Sequence, residues 1–216
     1  MSRKTIHFFL SLKIICYNHN RNGDDMEFID EIKQKAKNNK KRIVLPEKMD
    51  DRVLNAAEIV LNEEIADIIL IGNEKEINEK SMNLKKATII DPNTSSLTKN
   101  YIEKLVNIRK DKGMTQEEAT KLLLENYMYY ACMLVLDKKA DGVVSGAHHS
   151  TSDTLRPALQ IIKTKPNTKL VSAFFLMDVP NCSYGENGVF VFSDCGLNQN
   201  PTSSELVDIS ISSANS

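Results

Sequence analysis

The sequence predicts an α/β fold: an open, mainly parallel sheet flanked by helices, followed by an incomplete second α/β domain. Three observations lead there. Helical and strand patterns alternate from Met26 onward. The run Ile68-Ile69-Leu70-Ile71, closed by Gly72, is apolar at every position, as in parallel strands covered by helices on both faces. Polar junctions carrying glycine or proline follow the strand patterns, as in chains that cross repeatedly from strand to helix.

The elements follow in order. Glu27, Phe28, Ile29, Ile32 and Ala36 mark a helix over 27–38, and Ile43-Val44-Leu45 is a short strand that stops at Pro46. Asp50 or Asp51 caps a helix whose inner face is Val53, Ala56, Ala57, Val60 and Leu61. The apolar run 68–71 is the next strand, and Ala87 to Ile90 a weaker one. Leu97, Tyr101, Leu105 and Ile108 mark a helix ended at Gly113. Thr115 and Glu118 make a capping box for one long helix through Leu136, whose last turns are apolar all round and belong in the core. Gly142 to Gly146 is a strand running into a turn. Proline has no N–H and fits the first helical turn, so Pro157 sets the next helix start near Thr154, with Leu155, Ala158, Leu159 and Ile162 inward. Leu170 to Met177 and Val189 to Phe192 are further strands, and Thr202 with Glu205 caps a last helix.

Composition narrows the function classes. Of 216 residues, 41% are hydrophobic and 26% charged, and 28 basic against 29 acidic side chains give a net charge of −1. That balance excludes a disordered, highly charged chain and gives no basic excess for nucleic acid. With 6% aromatics and no Trp, a stacking platform for sugars or single strands is not expected. No window approaches the roughly 20 apolar residues of a membrane span. Arg3 and Lys4 before the apolar stretch Phe8 to Tyr17 imitate a signal peptide, but Lys13 interrupts it and no small-residue cleavage site follows. Residues 1–25 therefore read as an extension outside the fold, 26–165 as the first α/β domain, and 166–216 as the beginning of the second. Cys16, Cys132, Cys182 and Cys195 form no C-x-x-C pair, so a reduced, cytoplasmic chain is expected, with neither a metal site nor a disulfide framework.

Ligands of open α/β sheets bind beyond the carboxyl ends of the strands, which directs attention to 45–52, 144–156 and 192–205. The middle junction runs Ser145-Gly146-Ala147-His148-His149-Ser150-Thr151-Ser152-Asp153-Thr154-Leu155-Arg156-Pro157. Its hydroxyls, its free backbone N–H groups and Arg156, expected in the first helical turn, would form an oxyanion or phosphate cradle. The alternative is a capped surface loop with a solvated arginine. His148 and His149 are adjacent and cannot chelate one metal, so they read as structural or solvent-facing. Asp194, in the last junction, either positions a ligand or accepts loop N–H bonds, and Glu47 reads as structural. The run Arg109-Lys110-Asp111-Lys112-Gly113 either terminates a helix favourably or anchors a phosphorylated ligand. There is no Gly-x-Gly-x-x-Gly and no P-loop.

These junctions resemble the phosphate acetyltransferase (phosphotransacetylase) family from about Met26 to the last residue. The resemblance rests on Ile43-Val44-Leu45-Pro46-Glu47 with Arg52-Val53-Leu54, on Ile108-Arg109-Lys110 through Gly113, and on Ala140-Asp141-Gly142. It extends over Thr154-Leu155-Arg156-Pro157-Ala158-Leu159-Gln160-Ile161-Ile162-Lys163-Thr164, and over Asp194-Cys195 with Asn198, Asn200, Pro201 and Thr202. Lys48 departs from the family, where many members have Gly after the Pro-Glu. The resemblance implies acetyl transfer between coenzyme A and phosphate through acetyl phosphate, with coenzyme A as substrate and no bound cofactor or metal. It also implies two α/β domains with the site in their cleft, and a homodimer for full-length members. By the same resemblance Ser150, Thr151 and Arg156 belong to the substrate site and Arg109 to coenzyme A binding, with Ser145, Asp194 and Asn198 as further cleft candidates. The family's catalytic aspartate comes from a later segment, so the catalytic residues are expected beyond residue 216 and the chain is expected to be a truncated member, inactive alone. The competing readings are phosphate butyryltransferase, an allosteric module of the kind fused to some malic enzymes, and an inert ligand-binding fragment.

Overall fold

The computed structural model describes residues 9–10, 28–47, 50–80, 82–164, 166 and 168–216. The signal-peptide-like stretch, apart from the backbone of Phe9 and Leu10, and the departure at Lys48 lie outside the described residues. These residues form two compact units: Phe9–Leu10 with Ala36–Lys163, and residues 28–35 with Thr164–Ser216.

The first unit is a parallel sheet. In chain order its elements are β1 (Phe9–Leu10), the end of α1 (Phe28–Asn38), β2 (Arg42–Leu45), α2 (Asp51–Asn62), β3 (Asp67–Ile71), α3 (Glu74–Asn78), β4 (Thr88–Ile90), α4 (Thr98–Ile108), a 3-10 turn Lys110–Lys112, α5 (Gln116–Glu125), α6 (Tyr127–Leu136), β5 (Gly142–Ser145) and α7 (Thr151–Ile161). The strand order is β1-β5-β2-β3-β4, with every neighbour parallel. Of the residues read from sequence as an extension outside the fold, Phe9 and Leu10 pair with Val144 and Ser145.

Strand periodicity sorts the core onto two faces of this sheet. Val44, Ile69, Ile71 and Val143 face Tyr101 and Leu105 of α4, Leu123 of α5, all of α6 from Met128 to Val135, and Ala158 and Ile161 of α7. Leu45, Ile68 and Leu70 face Leu54, Ala57 and Leu61 of α2 and Ile77 of α3. The run 68–71 is apolar throughout because both its faces are covered. No helix among the described residues is long and apolar enough to cross a membrane.

Several sequence expectations are corrected. The single helix 115–136 is two helices, because Asn126 turns extended (φ −119°, ψ 95°) and its side chain accepts the Met128 N–H. The helix expected near Thr154 starts at Thr151, because Ser150 caps it by accepting the Asp153 N–H at 3.2 Å. Pro157 therefore sits inside α7 and Arg156 in its second turn. The same shift turns α7, so Thr154, Pro157, Ala158 and Ile161 are buried and Leu159 is exposed. On α2, Leu54 is buried and Ala56 exposed. The short helix α3 has too few residues to show a period.

The second unit has the start of α1, the antiparallel hairpin β6 (Phe174–Asp178) and β7 (Val189–Ser193), and α8 (Ser203–Ala214). The strand expected from Leu170 begins only at Phe174. The Thr202–Glu205 capping box is present. Val191 and Phe192 of β7 and Leu206, Val207 and Ile211 of α8 are exposed.

Candidate substrate-binding site

After β2 the chain moves outward through β3 to β4, then returns through α4, α5 and α6 to place β5 on the other side of β2. The sequence order of the strands thus reverses between β2 and β5, where open α/β sheets bind ligands at the carboxyl ends. The two strands are tied at their opposite ends by Arg42, whose backbone N–H and Nε donate to Asp141 Oδ2 at 3.0 and 3.1 Å.

At the carboxyl end of β2, Pro46 stops the strand and Glu47 turns back across the sheet. Its Oε2 accepts the N–H groups of Gly146 and Ala147 at 3.1 and 3.0 Å. Its Oε1 accepts those of His148 and His149 at 2.8 and 2.9 Å, and the His149 Nδ1 at 2.9 Å. An ionised carboxylate only accepts, so Nδ1 carries the imidazole proton. Burial, at 5% exposure, pushes the Glu47 pKa up, but the donors of His148, His149 and Ala147 outweigh it and hold it at about 2. With five donors on one carboxylate, Glu47 has no basicity to offer a reaction.

This occupancy corrects the cradle expected from sequence. The N–H groups of 146–149 do converge, but on the chain's own carboxylate. Gly146 makes the convergence feasible by taking φ +120°, a region essentially closed to other residues. Arg52 clamps the same loop from α2, donating to the Ala147 carbonyl at 2.8 Å while Asp50 accepts from its Nη2 at 2.6 Å.

Beyond the loop, the anion-seeking groups are those of α7 and α4. Ser150 is the N-cap and also donates to Asp153 Oδ2 at 2.7 Å. Thr151 is the first helical residue, and its N–H and that of Ser152 have no acceptor within the helix. Arg156 is exposed on the outer side of α7 and has no acidic partner among the described residues. Arg109 ends α4, and its Nε is buried without a hydrogen-bond partner. The two guanidinium charges both act electrostatically, without a direct contact, on the hydroxyl of Tyr129 on α6. Burial raises its pKa, with Arg156 and then Arg109 acting in the opposite direction. Tyr129 is pinned by donating to Gln160 Oε1 at 2.9 Å, which ties α6 to α7. Ser145, the last residue of β5, is 3% exposed and its Oγ has no partner. The first unit thus joins Ser145, Ser150, Thr151 and Arg156 on one strand–loop–helix segment, with Arg109 and Arg156 acting on a common neighbour.

Asp194 and Asn198 belong to the second unit. Burial raises the Asp194 pKa, but N–H donors from Gly196 and Leu197, each at 3.0 Å, together with Asn198 Nδ2, bring it below the usual carboxylate range. Asn198 also donates to the Val171 carbonyl at 3.0 Å. Asp194 thus accepts loop N–H bonds, one of the two roles read for it.

Glu47 and His149 have the structural role read for them, whereas sequence reasoning gave no part in this region to the contacts of Arg52, Tyr129 and Gln160. The cue available was the position of Glu47, a carboxylate directly after a strand end. The Cys132 thiol is fully buried and pushed up to about 12, so it is no nucleophile. Among the described residues no group of three or more His, Cys, Asp or Glu could hold a metal ion. A cavity of about 520 Å³ lined by Asn78, Met82, Asn83, Leu84 and Lys85 lies beside α3, with no arginine in its lining.

Residues 27–216 match the family described as phosphate acetyl/butaryl transferase. The chain is 50% identical over 192 residues to a phosphate acetyltransferase of Thermoanaerobacterium thermosaccharolyticum, covering 88% of this chain and 58% of that one. It is 48% identical over 193 residues to a phosphate acetyltransferase of Acetivibrio thermocellus, with the same 88% and 58% coverage. The crystal structure of a phosphotransacetylase from Streptococcus pyogenes matches with a TM-score of 0.76 at 38% identity, covering 85% of this chain and 55% of that chain. The chain therefore spans 58% of the length of these curated relatives.

Proposed function

The chain belongs to the phosphate acetyl/butaryl transferase family, and from that premise we propose that it serves acetyl transfer between coenzyme A and inorganic phosphate. In the forward direction a phosphate oxygen attacks the thioester carbonyl of acetyl-CoA and the C–O bond forms. The C–S bond then breaks, and coenzyme A leaves as a thiolate that takes up a proton, giving acetyl phosphate. Both substrates are polyanions, so the first requirement is fixed cations and N–H donors without internal partners. Arg156, Arg109, the unpartnered Ser145 hydroxyl and the first N–H groups of α7 at Thr151 meet that requirement, and the Ser150 hydroxyl, already paired with Asp153, borders them. We assign these residues to substrate binding and assign no catalytic base among the described residues.

The observation that carries the reading is the family match over 27–216 with near relatives named phosphate acetyltransferase. Those names favour acetyl over butyryl as the group transferred. Three thiols, Cys132, Cys182 and Cys195, are free among the described residues, which supports a reducing compartment and hence the cytoplasm. The change of unit between Lys163 and Thr164 supports a domain boundary at about 165, whereas residues 28–35, read with the first domain, group with the second unit.

The test is a calorimetric titration with acetyl-CoA. Saturable binding is expected, weakened about tenfold or more in Arg156→Gln and in Arg109→Gln, because a charge-assisted contact to phosphate is lost. Butyryl-CoA is expected to bind more weakly. No binding of acetyl-CoA, or arginine variants that bind it unchanged, contradicts the assignment.

A further inference from the structure

We propose that Glu47 is a positioning residue for the anion-binding segment: its carboxylate stands permanently where a phosphate would otherwise lodge, and so sets the path of 146–149 into α7. The inference rests on the acetyl-transfer reading above.

Four consecutive N–H groups converging on one point form the kind of concavity that captures free phosphate. Here the four belong to Gly146, Ala147, His148 and His149, and all are spent on Glu47 at 2.8 to 3.1 Å. His149 adds its ring Nδ1 at 2.9 Å, and Arg52 holds the Ala147 carbonyl from the opposite side at 2.8 Å. Every peptide N–H between Ser145, with its unpaired hydroxyl, and the Ser150 cap is therefore fixed by a group anchored on β2. Two consequences follow. Substrate phosphate is directed away from the concavity, toward the start of α7 and Arg156. That start is held in register with Ser145, because the intervening loop has no slack. Glu47 acts through the loop and touches no substrate.

The experiment separates positioning from stability. Acetyl-CoA is titrated into each protein at a temperature where circular dichroism shows it folded. Glu47→Gln turns an amide donor toward one pair of the four N–H groups, since only one carboxylate oxygen is replaced, and is expected to weaken acetyl-CoA binding about tenfold. Glu47→Ala empties the concavity, and formate, a carboxylate small enough to enter it, is expected to bring the Kd back to within about threefold of wild type. Arg156→Gln should gain nothing from formate. Wild-type affinity in folded Glu47→Gln overturns the proposal, since lost stability alone leaves the Kd of the folded protein unchanged. If Glu47→Ala folds only in formate, the titration of folded Glu47→Gln decides between positioning and stability, and a Glu47→Ala fold that returns without binding overturns the proposal. Failure of the wild type to bind acetyl-CoA is a different result: it is the failure of the acetyl-transfer reading and removes this inference with it.

Discussion

The Glu47 carboxylate takes its hydrogen bonds from residues 99 to 102 positions further along the chain. Its pKa in the folded protein, about 2, lies below the ordinary 4.5. The stabilisation this represents is therefore complete above pH 4.5 and is lost as the pH falls toward 2. The full shift corresponds to about 3 kcal/mol. Urea unfolding at pH 6 and pH 3 is expected to show a drop in stability on acidification that is smaller in Glu47→Gln, because that variant has already lost the titrating group. Gly146→Ala is expected to cost about 1–3 kcal/mol, as alanine cannot rest at φ +120°, and thermal unfolding checks it. The turn at Gly146 and a structural role for Glu47 were legible in the sequence, but not the partners of Glu47. Glu47 shows only a strand end there, and its partners are brought to it by the β2–β5 pairing. Arg109 was legible in a basic run ending a helix and Arg156 as a cation expected in a first helical turn, whereas Tyr129, on which both act electrostatically, was hidden in an apolar run read as core.

Helices and strands were more legible where local chemistry decides them. The capping boxes at Thr115 and Thr202 are set by residues three positions apart, and both are present. The strand at 68–71 needs only its unbroken apolar run. Breaks and phases were harder to read. Asn126 interrupts what looks like one helix because its side chain, accepting the Met128 N–H at 3.1 Å, offers the backbone an alternative to the helical bond. Pro157 misled because a proline is tolerated beyond the first turn when the residue that would have accepted its N–H, here Asp153, is exposed. Asn126→Ala is expected to destabilise the protein by about 1 kcal/mol, the usual value of a lost cap. Leu134→Ala, in the fully buried middle of α6, is expected to cost about 2–5 kcal/mol. Denaturant melts of the two variants should keep that order, and the reverse order would mean that α6 is not the central packing element.

At the scale of the molecule, the alternation of patterns was enough to predict a parallel α/β sheet. Strand order was not, because β5 pairs with β2 across the whole of β3 to α6. That crossing produces the reversal point, and with it the single place where Glu47, the loop 146–149 and the start of α7 converge. In the second unit the last helix and the two strands were legible but not their antiparallel pairing, and the strand start moved to Phe174, since nothing in 170–173 marks the point where pairing begins. On the proposed function, this reversal point, with Arg109 and Arg156, receives the anionic substrate. The most direct test is a titration of isotope-labelled protein with acetyl-CoA followed by amide NMR. Saturable shifts centred on Arg109 and on Ser145 through Arg156 are expected. Shifts centred instead on Asn78 to Lys85, around the cavity beside α3, or no shifts at all, would contradict the proposed function.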